Sequence, residues 1–439
     1  MNNYVIEGGH KLSGTVTINP SKNSAVAMLI AAMMNKGTTT IGQLPDIEEV
    51  KRIIEVMESI GVKVSRGKNG SCRITPPEKF KIEKIDTEAA IRTRSVILFI
   101  GALSHNIQKF PLPMSGGCKL GRRSILPHIY ALDELGIKIK RSKNKDAINV
   151  DCSGIKNKNR EILLYESGDT VTENAIMVAA TTEATTTIKF ASANYQVQDL
   201  CFFLEKFGVQ FKGLGTTTLV IKGVREINKD VEFYLTEDPP EAMFYISLAA
   251  TTGSSLNLKR CPIDFLELEL YKLKKMNFKF RISKEYPSFN GRGKLVDLQT
   301  LPSKLKASPE KVDARPFPGV NIDNLPFFVP VATQAEGETL IHDHVFENRA
   351  TYYTDLNRMG AKVTLADPHR VFIKGPTKLS GAELTCPPAL RPSAVILIAM
   401  LAASGTSILK DVYQLERGYE NLCERLGKLG AKIKKSENI

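Results

Sequence analysis

The sequence predicts an α/β fold in which one helix–strand unit is repeated six times. Two markers carry this prediction. In the first, a helix ends in a turn residue and a strand with alternating apolar residues begins; in the second, a helix rich in small residues leads into a β-branched strand. Because both markers occur in fixed order in all six units, at a spacing of roughly 70 residues, they indicate repetition rather than chance matches.

The first marker depends on a residue that can adopt the left-handed helix C-cap, which is glycine in five copies and Asn277 in the fourth. Its copies lie at residues 57–64, 132–139, 204–211, 273–280, 356–363 and 426–433. The second marker places small-residue helix ends at 31–32, 101–102, 179–180, 249–250, 331–332 and 401–402. Small residues let helices pack closely, so we expect these helices to be buried with the sheets outside them.

The length of 439 residues exceeds what one hydrophobic core normally serves, so we expect two domains of three repeats each. The best boundary is the polar stretch 228–237. One domain would then span residues 22–236, and the other would combine 1–21 with 237–439. The amino-terminal strand, predicted over residues 4–18, resembles the segment 379–384 and is expected to complete this second domain.

The composition predicts a soluble, cytoplasmic protein. Hydrophobic residues make up 42% of the chain and charged residues 24%, as in ordinary globular proteins. No run of eighteen apolar residues occurs, and the first residues lack a basic segment followed by an apolar one, so neither membrane insertion nor secretion is expected.

The net charge and the spacing of the cysteines limit the classes of partner and ligand that we expect. The net charge of +13 comes mainly from lysines spread along the chain, without zinc-finger spacing or an aromatic-basic RNA motif. We therefore expect small anionic substrates, drawn in by a positive field, rather than nucleic acid. The seven cysteines are scattered with no C-x-x-C pair, which predicts neither a metal site nor a disulfide framework.

Cys118 lies in the most unusual loop of the chain, between Gly116-Gly117 and Gly121-Arg122-Arg123. Glycines let the backbone approach a ligand, and nearby guanidinium groups favour the thiolate and can grip phosphate or carboxylate. This setting suits an acid, base or nucleophile beside an anion. The alternative is a glycine turn that holds a buried cysteine.

Four further candidates stand where helices begin. Lys22 opens a helix after Pro20-Ser21, where free backbone N–H groups stabilise an anion, although a solvated lysine at a helix start is the simpler alternative. Arg94 and Arg391 each precede an unusually apolar helix, where surface charge is a poor explanation. Asp323 also precedes such a helix, and its alternative role is a helix N-cap.

These residues carry a resemblance to the enolpyruvyl transferases, in the branch that uses UDP-N-acetylglucosamine as acceptor. The similarity runs over essentially the whole chain. The motifs that carry it are Ser21-Lys22-Asn23-Ser24-Ala25, Gly116-Gly117-Cys118 with Gly121-Arg122-Arg123, Pro316-Phe317-Pro318-Gly319 with Asp323, Val345-Phe346-Glu347-Asn348-Arg349, Leu390-Arg391, and Glu416-Arg417-Gly418-Tyr419-Glu420. The resemblance implies a two-domain inside-out α/β barrel of six βαβαββ-type units.

The resemblance also implies roles for individual residues. The catalytic set would be Cys118 as general acid, Asp323 as base for the acceptor hydroxyl, and Lys22. The residues implied in substrate binding are Asn23, Arg94, Arg123, Val345, Arg349 and Arg391. Of these, Arg123 and Arg391, together with Lys22, would hold the phosphate and carboxylate of phosphoenolpyruvate. No metal or organic cofactor would be needed, because the cationic residues supply the electrostatic stabilisation.

The implied reaction adds a sugar hydroxyl to phosphoenolpyruvate and then expels phosphate, as in peptidoglycan precursor synthesis. Two segments depart from the family pattern on the nucleotide side, 124–128 and 167–172. The second introduces Asp169, whose charge would repel a diphosphate. Two alternatives therefore stay open: transfer to a different nucleotide or sugar, and a non-catalytic ligand-binding relative.

Overall fold

The computed structural model describes residues 2–114, 124–142 and 146–437, and within them the chain forms two compact units. One unit, called the N-terminal unit below, is built from described residues between 20 and 236. The other, the C-terminal unit, combines residues 2–19 with 237–437.

Strands and helices are interspersed along the chain. The strands are β1 (Asn3–Gly8), β2 (Ser13–Thr17), β3 (Thr39–Gly42), β4 (Lys63–Arg66), β5 (Cys72–Thr75), β6 (Lys109–Pro113), β7 (Lys138–Arg141), β8 (Ala147–Asp151), β9 (Arg160–Leu163), β10 (Thr185–Lys189), β11 (Gln210–Lys212), β12 (Thr218–Lys222), β13 (Val231–Tyr234), β14 (Ser255–Pro262), β15 (Lys279–Ile282), β16 (Tyr286–Pro287), β17 (Lys294–Leu301), β18 (Val312–Asp313), β19 (Gly337–His342), β20 (Lys362–Asp367), β21 (Arg370–Gly375), β22 (Glu383–Thr385), β23 (Gly405–Lys410) and β24 (Lys432–Ser436). The α-helices are α1 (Lys22–Ala32), α2 (Glu48–Ser59), α3 (Thr87–Ile91), α4 (Phe99–Leu103), α5 (Leu126–Glu134), α6 (Asp169–Ala180), α7 (Tyr195–Lys206), α8 (Pro239–Thr252), α9 (Glu267–Lys275), α10 (Phe328–Thr333), α11 (Leu390–Ala402), α12 (Tyr413–Glu416) and α13 (Leu422–Lys428). Short 3-10 helices cover Ile82–Lys84, Ser95–Leu98, Ile263–Phe265 and Leu325–Phe327, and a longer one covers Arg349–Met359.

The sheets repeat one topology. In the described residues each unit contains three sheets, and five of the six sheets hold a parallel pair of strands followed by two antiparallel ones. The orders in the N-terminal unit are β13-β3-β5-β4, β6-β8-β7 and β11-β12-β10-β9. Those in the C-terminal unit are β15-β17-β14-β2, with β16 on β17, then β18-β19-β21-β20 and β22-β23-β1-β24. This arrangement agrees with six βαβαββ-type units.

The helices that carry the small residues form the core of each unit. Every residue of α8 is buried, and so are the eleven residues 391–401 of α11 and the nine residues 24–32 of α1. A helix that is apolar all round can be stable only when neighbours cover every side, so these helices lie inside and the sheets pack around them. The predicted burial is confirmed.

The predicted helix–turn–strand markers are also confirmed. Gly61, Gly136, Gly208, Asn277, Gly360 and Gly430 all have positive φ, between 63° and 100°, and each is followed by a strand. The asparagine tolerates this left-handed conformation better than most residues with a side chain, which explains why it can replace glycine once.

The prediction of one strand over residues 4–18 is wrong. The segment forms two strands in different sheets of the C-terminal unit: β1 lies between β23 and β24, and β2 runs parallel to β14. Gly8 is the last residue of β1, and Gly9 follows it. A side chain on Gly8 would place Cβ 2.1 Å from the carbonyl oxygen of Met400, so the chain turns where only glycine fits.

Candidate active site

Arg391 is a buried cation at the start of α11 in the C-terminal unit. Its side chain is 7% exposed, and Nη2 donates to Asp323 Oδ2 at 3.0 Å, while Nη1 donates to the Tyr419 hydroxyl at 3.0 Å. The Nε atom is buried without a hydrogen-bond partner. The side chain of Asp323 is 25% exposed, so this end of the ion pair is partly accessible to solvent.

The loop before Asp323 is tied to a buried carboxyl group. Glu269, from α9, accepts hydrogen bonds from the Asn321 backbone at 3.0 Å and from Asn324 Nδ2 at 2.8 Å. The backbone N–H of Asp323 donates to Asn321 Oδ1 at 2.8 Å. Asn324, rather than Asp323, occupies the N-cap position of the following 3-10 helix. The alternative N-cap role for Asp323 therefore does not hold.

Arg349 lies beneath this loop, almost completely buried. Its guanidinium forms a two-point ion pair with Asp343, with Nε–Oδ2 at 2.5 Å and Nη2–Oδ1 at 2.9 Å, and Nη2 also donates to the carbonyl of Ile322 at 2.9 Å. Tyr353 donates to Asp343 at 2.9 Å. Arg349 thus holds the backbone next to Asp323.

Val345 comes from the same segment as Arg349 but behaves differently. Its side chain is 50% exposed, whereas that of Arg349 is 1% exposed. The predicted binding segment therefore combines an internal cation with a surface residue. Substrate binding by these two residues stays a prediction.

A second carboxylate, Asp238, was not singled out from the sequence. It caps α8 by accepting a hydrogen bond from the Glu241 backbone at 2.9 Å. Burial raises the pKa of the Tyr419 hydroxyl, and the negative charge of Asp238 adds to this effect. The sequence does contain a signal that could have identified Asp238. An aspartate directly before Pro239-Pro240 is typical of a helix start.

Lys22 and Asn23 open α1 in the N-terminal unit. Ser21 is the N-cap, and its hydroxyl oxygen accepts a hydrogen bond from the Ser24 backbone at 3.2 Å. The Ser21 N–H donates to the carbonyl of Thr236 at 2.8 Å, which fixes the start of the helix. Lys22 is half-buried, so it is not the fully solvated lysine of the alternative interpretation.

Asn23 is held by the first turn of α7. Its Nδ2 donates to the hydroxyl of Tyr195 at 3.0 Å and to Gln196 Oε1 at 3.2 Å. Both partners are at least 95% buried. Neither was found from the sequence, because they lie about 170 residues away from Asn23 and carry no motif of their own.

Arg94 precedes the 3-10 helix Ser95–Leu98, where its charge acts on two neighbouring groups. Burial lowers the pKa of His128 to about 3, and Arg94 contributes to this shift. Burial raises the pKa of Glu166, and here Arg94 opposes the shift. His128 belongs to one of the segments that departs from the family pattern, and Glu166 precedes the other.

His128 is neutral and fixed in one tautomer. Its Nδ1 accepts from Asn174 Nδ2 at 3.0 Å, so Nε2 carries the proton and faces Thr170 Oγ1 at 3.2 Å. Asp169 is also satisfied within the protein, since Ser192 and Asn194 donate to its two oxygens at 2.5 and 3.0 Å. Both departing segments thus have internal hydrogen-bond partners.

Cys118 and Arg123 lie outside the described residues. The described part of the chain contains six cysteines, none of them in a disulfide: Cys72, Cys152, Cys201, Cys261, Cys386 and Cys423. Burial raises the pKa of each of these six thiols. A raised pKa disfavours the reactive thiolate. Five of the six cysteines are buried, and Cys423 is partly exposed. In the described part of the chain, no cluster of three or more histidine, cysteine or acidic side chains could hold a metal ion.

The model of the family described as EPSP synthase (3-phosphoshikimate 1-carboxyvinyltransferase) matches residues 6–426. A UDP-N-acetylglucosamine 1-carboxyvinyltransferase from Treponema denticola is 34% identical over 446 residues, covering 100% of both chains. One from Borreliella burgdorferi is 32% identical over 437 residues, covering 99% of both. The chain belongs to this enolpyruvyl (carboxyvinyl) transferase family. It is a transferase enzyme.

Solved structures confirm the predicted fold. The enolpyruvyl transferase NikO from Streptomyces tendae superimposes with a TM-score of 0.84 at 22% identity, over 99% of each chain. The EPSP synthase from Acinetobacter baumannii gives 0.77 at 20% identity, over 100% of each chain. Among the described residues, no helix is both long and apolar enough to span a bilayer.

Proposed function

We propose that the protein transfers the enolpyruvyl group of phosphoenolpyruvate to the 3-hydroxyl of UDP-N-acetylglucosamine in the cytoplasm, for peptidoglycan precursor synthesis. The relatives named for this activity support the proposal, since they match nearly the whole chain at 31–34% identity. The observation that carries it is the Arg391–Asp323 ion pair, which places a buried guanidinium beside a partly exposed aspartate.

In this scheme Asp323 takes the proton of the attacking hydroxyl. Arg391 holds the carboxylate in its ionised form, which is the form a general base requires. Arg349 acts indirectly, because it donates a hydrogen bond to the Ile322 carbonyl and so fixes the backbone that carries Asp323. We therefore assign Arg349 a positioning role.

The hydroxyl oxygen bonds to C2 of phosphoenolpyruvate while Cys118 protonates the methylene carbon. Lys22, Arg123 and Arg391 neutralise the phosphate and carboxylate of this tetrahedral intermediate. The Cys118 thiolate then takes a proton back from the new methyl group as the C2–O bond to phosphate breaks. This step forms the C2–C3 double bond of the enolpyruvyl ether and releases phosphate. Asn23, Arg94 and Val345 would contact the acceptor. The scheme uses no metal or organic cofactor.

A second candidate is the same chemistry on another nucleotide or sugar. Asp169 lies in the second departing segment, where the resemblance implies the nucleotide side of the acceptor, and Glu166 lies just before that segment. Their charges would disfavour a diphosphate.

Phosphate release from phosphoenolpyruvate with UDP-N-acetylglucosamine tests the proposal, with the Cys118→Ala protein as the matched control. Release by the native protein alone is the expected result. If the native protein releases no phosphate with this acceptor but does so with another UDP-sugar or nucleotide, the second candidate replaces the first.

A further inference from the structure

Glu49 is a buried acidic residue that the proposed mechanism does not use. It lies in the first turn of α2 and is 5% exposed. Its Oε1 accepts a hydrogen bond at 2.5 Å from the hydroxyl of Thr93, which is itself fully buried. A buried carboxylate is costly unless other groups stabilise it, and here the amino end of α2 and the Thr93 hydroxyl both do so. The pair joins α2 to the residue directly before Arg94.

The Thr93 hydroxyl has a fixed direction. The backbone N–H of Ser95 donates to Thr93 Oγ1 at 3.2 Å, and an N–H group can only donate. The hydroxyl therefore accepts from Ser95 and directs its own hydrogen to the Glu49 carboxylate. A threonine that accepts from the N–H two residues later is a common local turn. The bond to Glu49 goes beyond such a turn, because it connects residues 44 positions apart in the sequence.

Arg94 stands between the two residues that this hydroxyl holds. Thr93 and Ser95 share one oxygen atom, which is anchored to α2. The 3-10 helix that follows Arg94 is also held at its other end, where Asn174 Nδ2 donates to the carbonyl of Ile97 at 3.0 Å. Buried side chains from two other helices thus fix the backbone on both sides of Arg94. A side chain on such a rigid support is positioned more precisely than one on a free loop.

We propose that the Glu49–Thr93 pair positions Arg94 for contact with the acceptor substrate. This inference rests on the proposed function, in which Arg94 contacts the acceptor. Glu49 and Thr93 act through the backbone of Arg94, and neither is assigned contact with a substrate, so both are positioning residues. Neither is among the motif residues that carry the family resemblance.

The first test compares Thr93→Val with Thr93→Ser. Valine keeps the shape of threonine without the hydroxyl, whereas serine keeps the hydroxyl. Thr93→Val should raise KM for the acceptor about fivefold to tenfold, and should change turnover and KM for phosphoenolpyruvate by less than about twofold. Thr93→Ser should stay within about twofold of the native protein in all three quantities.

Thr182→Val is the matched control. The Thr182 hydroxyl is buried in the same unit and donates to the carbonyl of Val178 at 3.2 Å, but this bond holds none of the candidate site residues. The substitution removes the same chemical group as Thr93→Val and should change neither KM by more than about twofold.

A double variant separates positioning from stability. Thr93→Val alone leaves the Glu49 carboxylate without this hydroxyl, so it should lower the melting temperature. In Glu49→Met/Thr93→Val both partners are apolar, and a polar pair replaced in this way can be nearly neutral for stability. The double variant should recover much of the lost stability, yet its KM for the acceptor should stay raised by about fivefold or more. Recovery of both properties would show a merely structural pair and overturn the inference, and this variant decides the question even if Thr93→Val alone does not fold.

A measurement without substrates separates this inference from the proposed function. Burial lowers the pKa of His128, and the charge of Arg94 adds to this effect, so the His128 ring reports on Arg94. The NMR signals of this ring at neutral pH, identified with His128→Gln, should shift in Arg94→Met. Thr93→Val should shift them in the same direction, whereas Thr93→Ser and Thr182→Val should leave them unchanged.

The possible outcomes are distinct. His128 signals that respond to Arg94→Met but not to Thr93→Val would refute the positioning role, even in an active enzyme. Equal rises in KM for both substrates would also overturn it, because they would indicate a general disturbance of the unit. Absence of turnover by the native protein with UDP-N-acetylglucosamine would instead refute the proposed function, and the His128 comparison would still decide the inference.

Discussion

The two units hold Asp323 and Asn23, one candidate residue from each, by different means. In the C-terminal unit, Asp323, Arg391, Arg349 and Asp343 are ions, and each is neutralised by a partner within about hydrogen-bond distance. In the N-terminal unit, Asn23 rests on neutral amide and hydroxyl groups. Ion pairs fix charge and tolerate changes of pH, whereas neutral hydrogen bonds fix direction and depend on the protonation of their neighbours.

Among the substitutions that test this comparison, one at Asp323 should have the largest effect, and that effect is on turnover. Asp323→Asn keeps the shape of the side chain but removes both the base and the counter-charge of Arg391. Turnover should fall by about 10²–10⁴-fold. Steady-state phosphate release at saturating substrates measures this loss. A variant with more than about a tenth of native turnover would exclude Asp323 as the base.

The next effect is on stability. Arg349→Met leaves Asp343 charged and buried without its partner, which should lower the free energy of unfolding by about 3–5 kcal/mol. Lys428→Met is the control, since it breaks a pair with Glu424 in which both side chains are more than 60% exposed. That change should cost no more than about 0.5 kcal/mol in denaturant titrations. Equal losses in the two variants would show that burial of the Arg349 pair is irrelevant.

The third effect is a pH dependence of stability, and it concerns the neutral network of the N-terminal unit. Burial and Arg94 hold the pKa of His128 at about 3, below its ordinary value of 6.5, so the unfolded chain takes up the proton first. The stability contributed by neutral His128 is present above pH 6.5 and is lost as the pH falls towards 3, by at most about 1.4 kcal/mol per pH unit. His128→Gln should flatten this dependence in thermal melts. His10→Gln, on the partly exposed pair with Glu7, should not.

Local signals explain why much of the fold was predictable. A helix C-cap depends on one residue and its immediate neighbours, so Gly61 and its five counterparts mark helix ends in the sequence itself. The same holds for α8, whose uniformly apolar composition requires burial wherever it lies. Local signals did not predict the two strands within 4–18, because their partners are far away in the sequence. The partner of β2 lies about 240 residues further along the chain, and that of β1 about 400.

The candidate site was predictable where a motif marked it and not where it depended on support from distant residues. Asp323 and Arg391 were identified, and they form an ion pair across 68 positions of sequence. Asp343, Tyr195 and Gln196 were missed, because a buried partner of a functional residue has no composition or spacing that distinguishes it. For such residues the contact itself is the only signal.

The position of β1 has a consequence for the order in which the protein can be made. Asn3 pairs with Ser436, so β1 is synthesised more than 400 residues before a strand that its sheet needs. The N-terminal unit draws all its strands from the chain between residues 39 and 234 and faces no such delay. During synthesis we therefore expect the N-terminal unit to fold first. Until the later strands are made, β1 and β2 should remain unpaired.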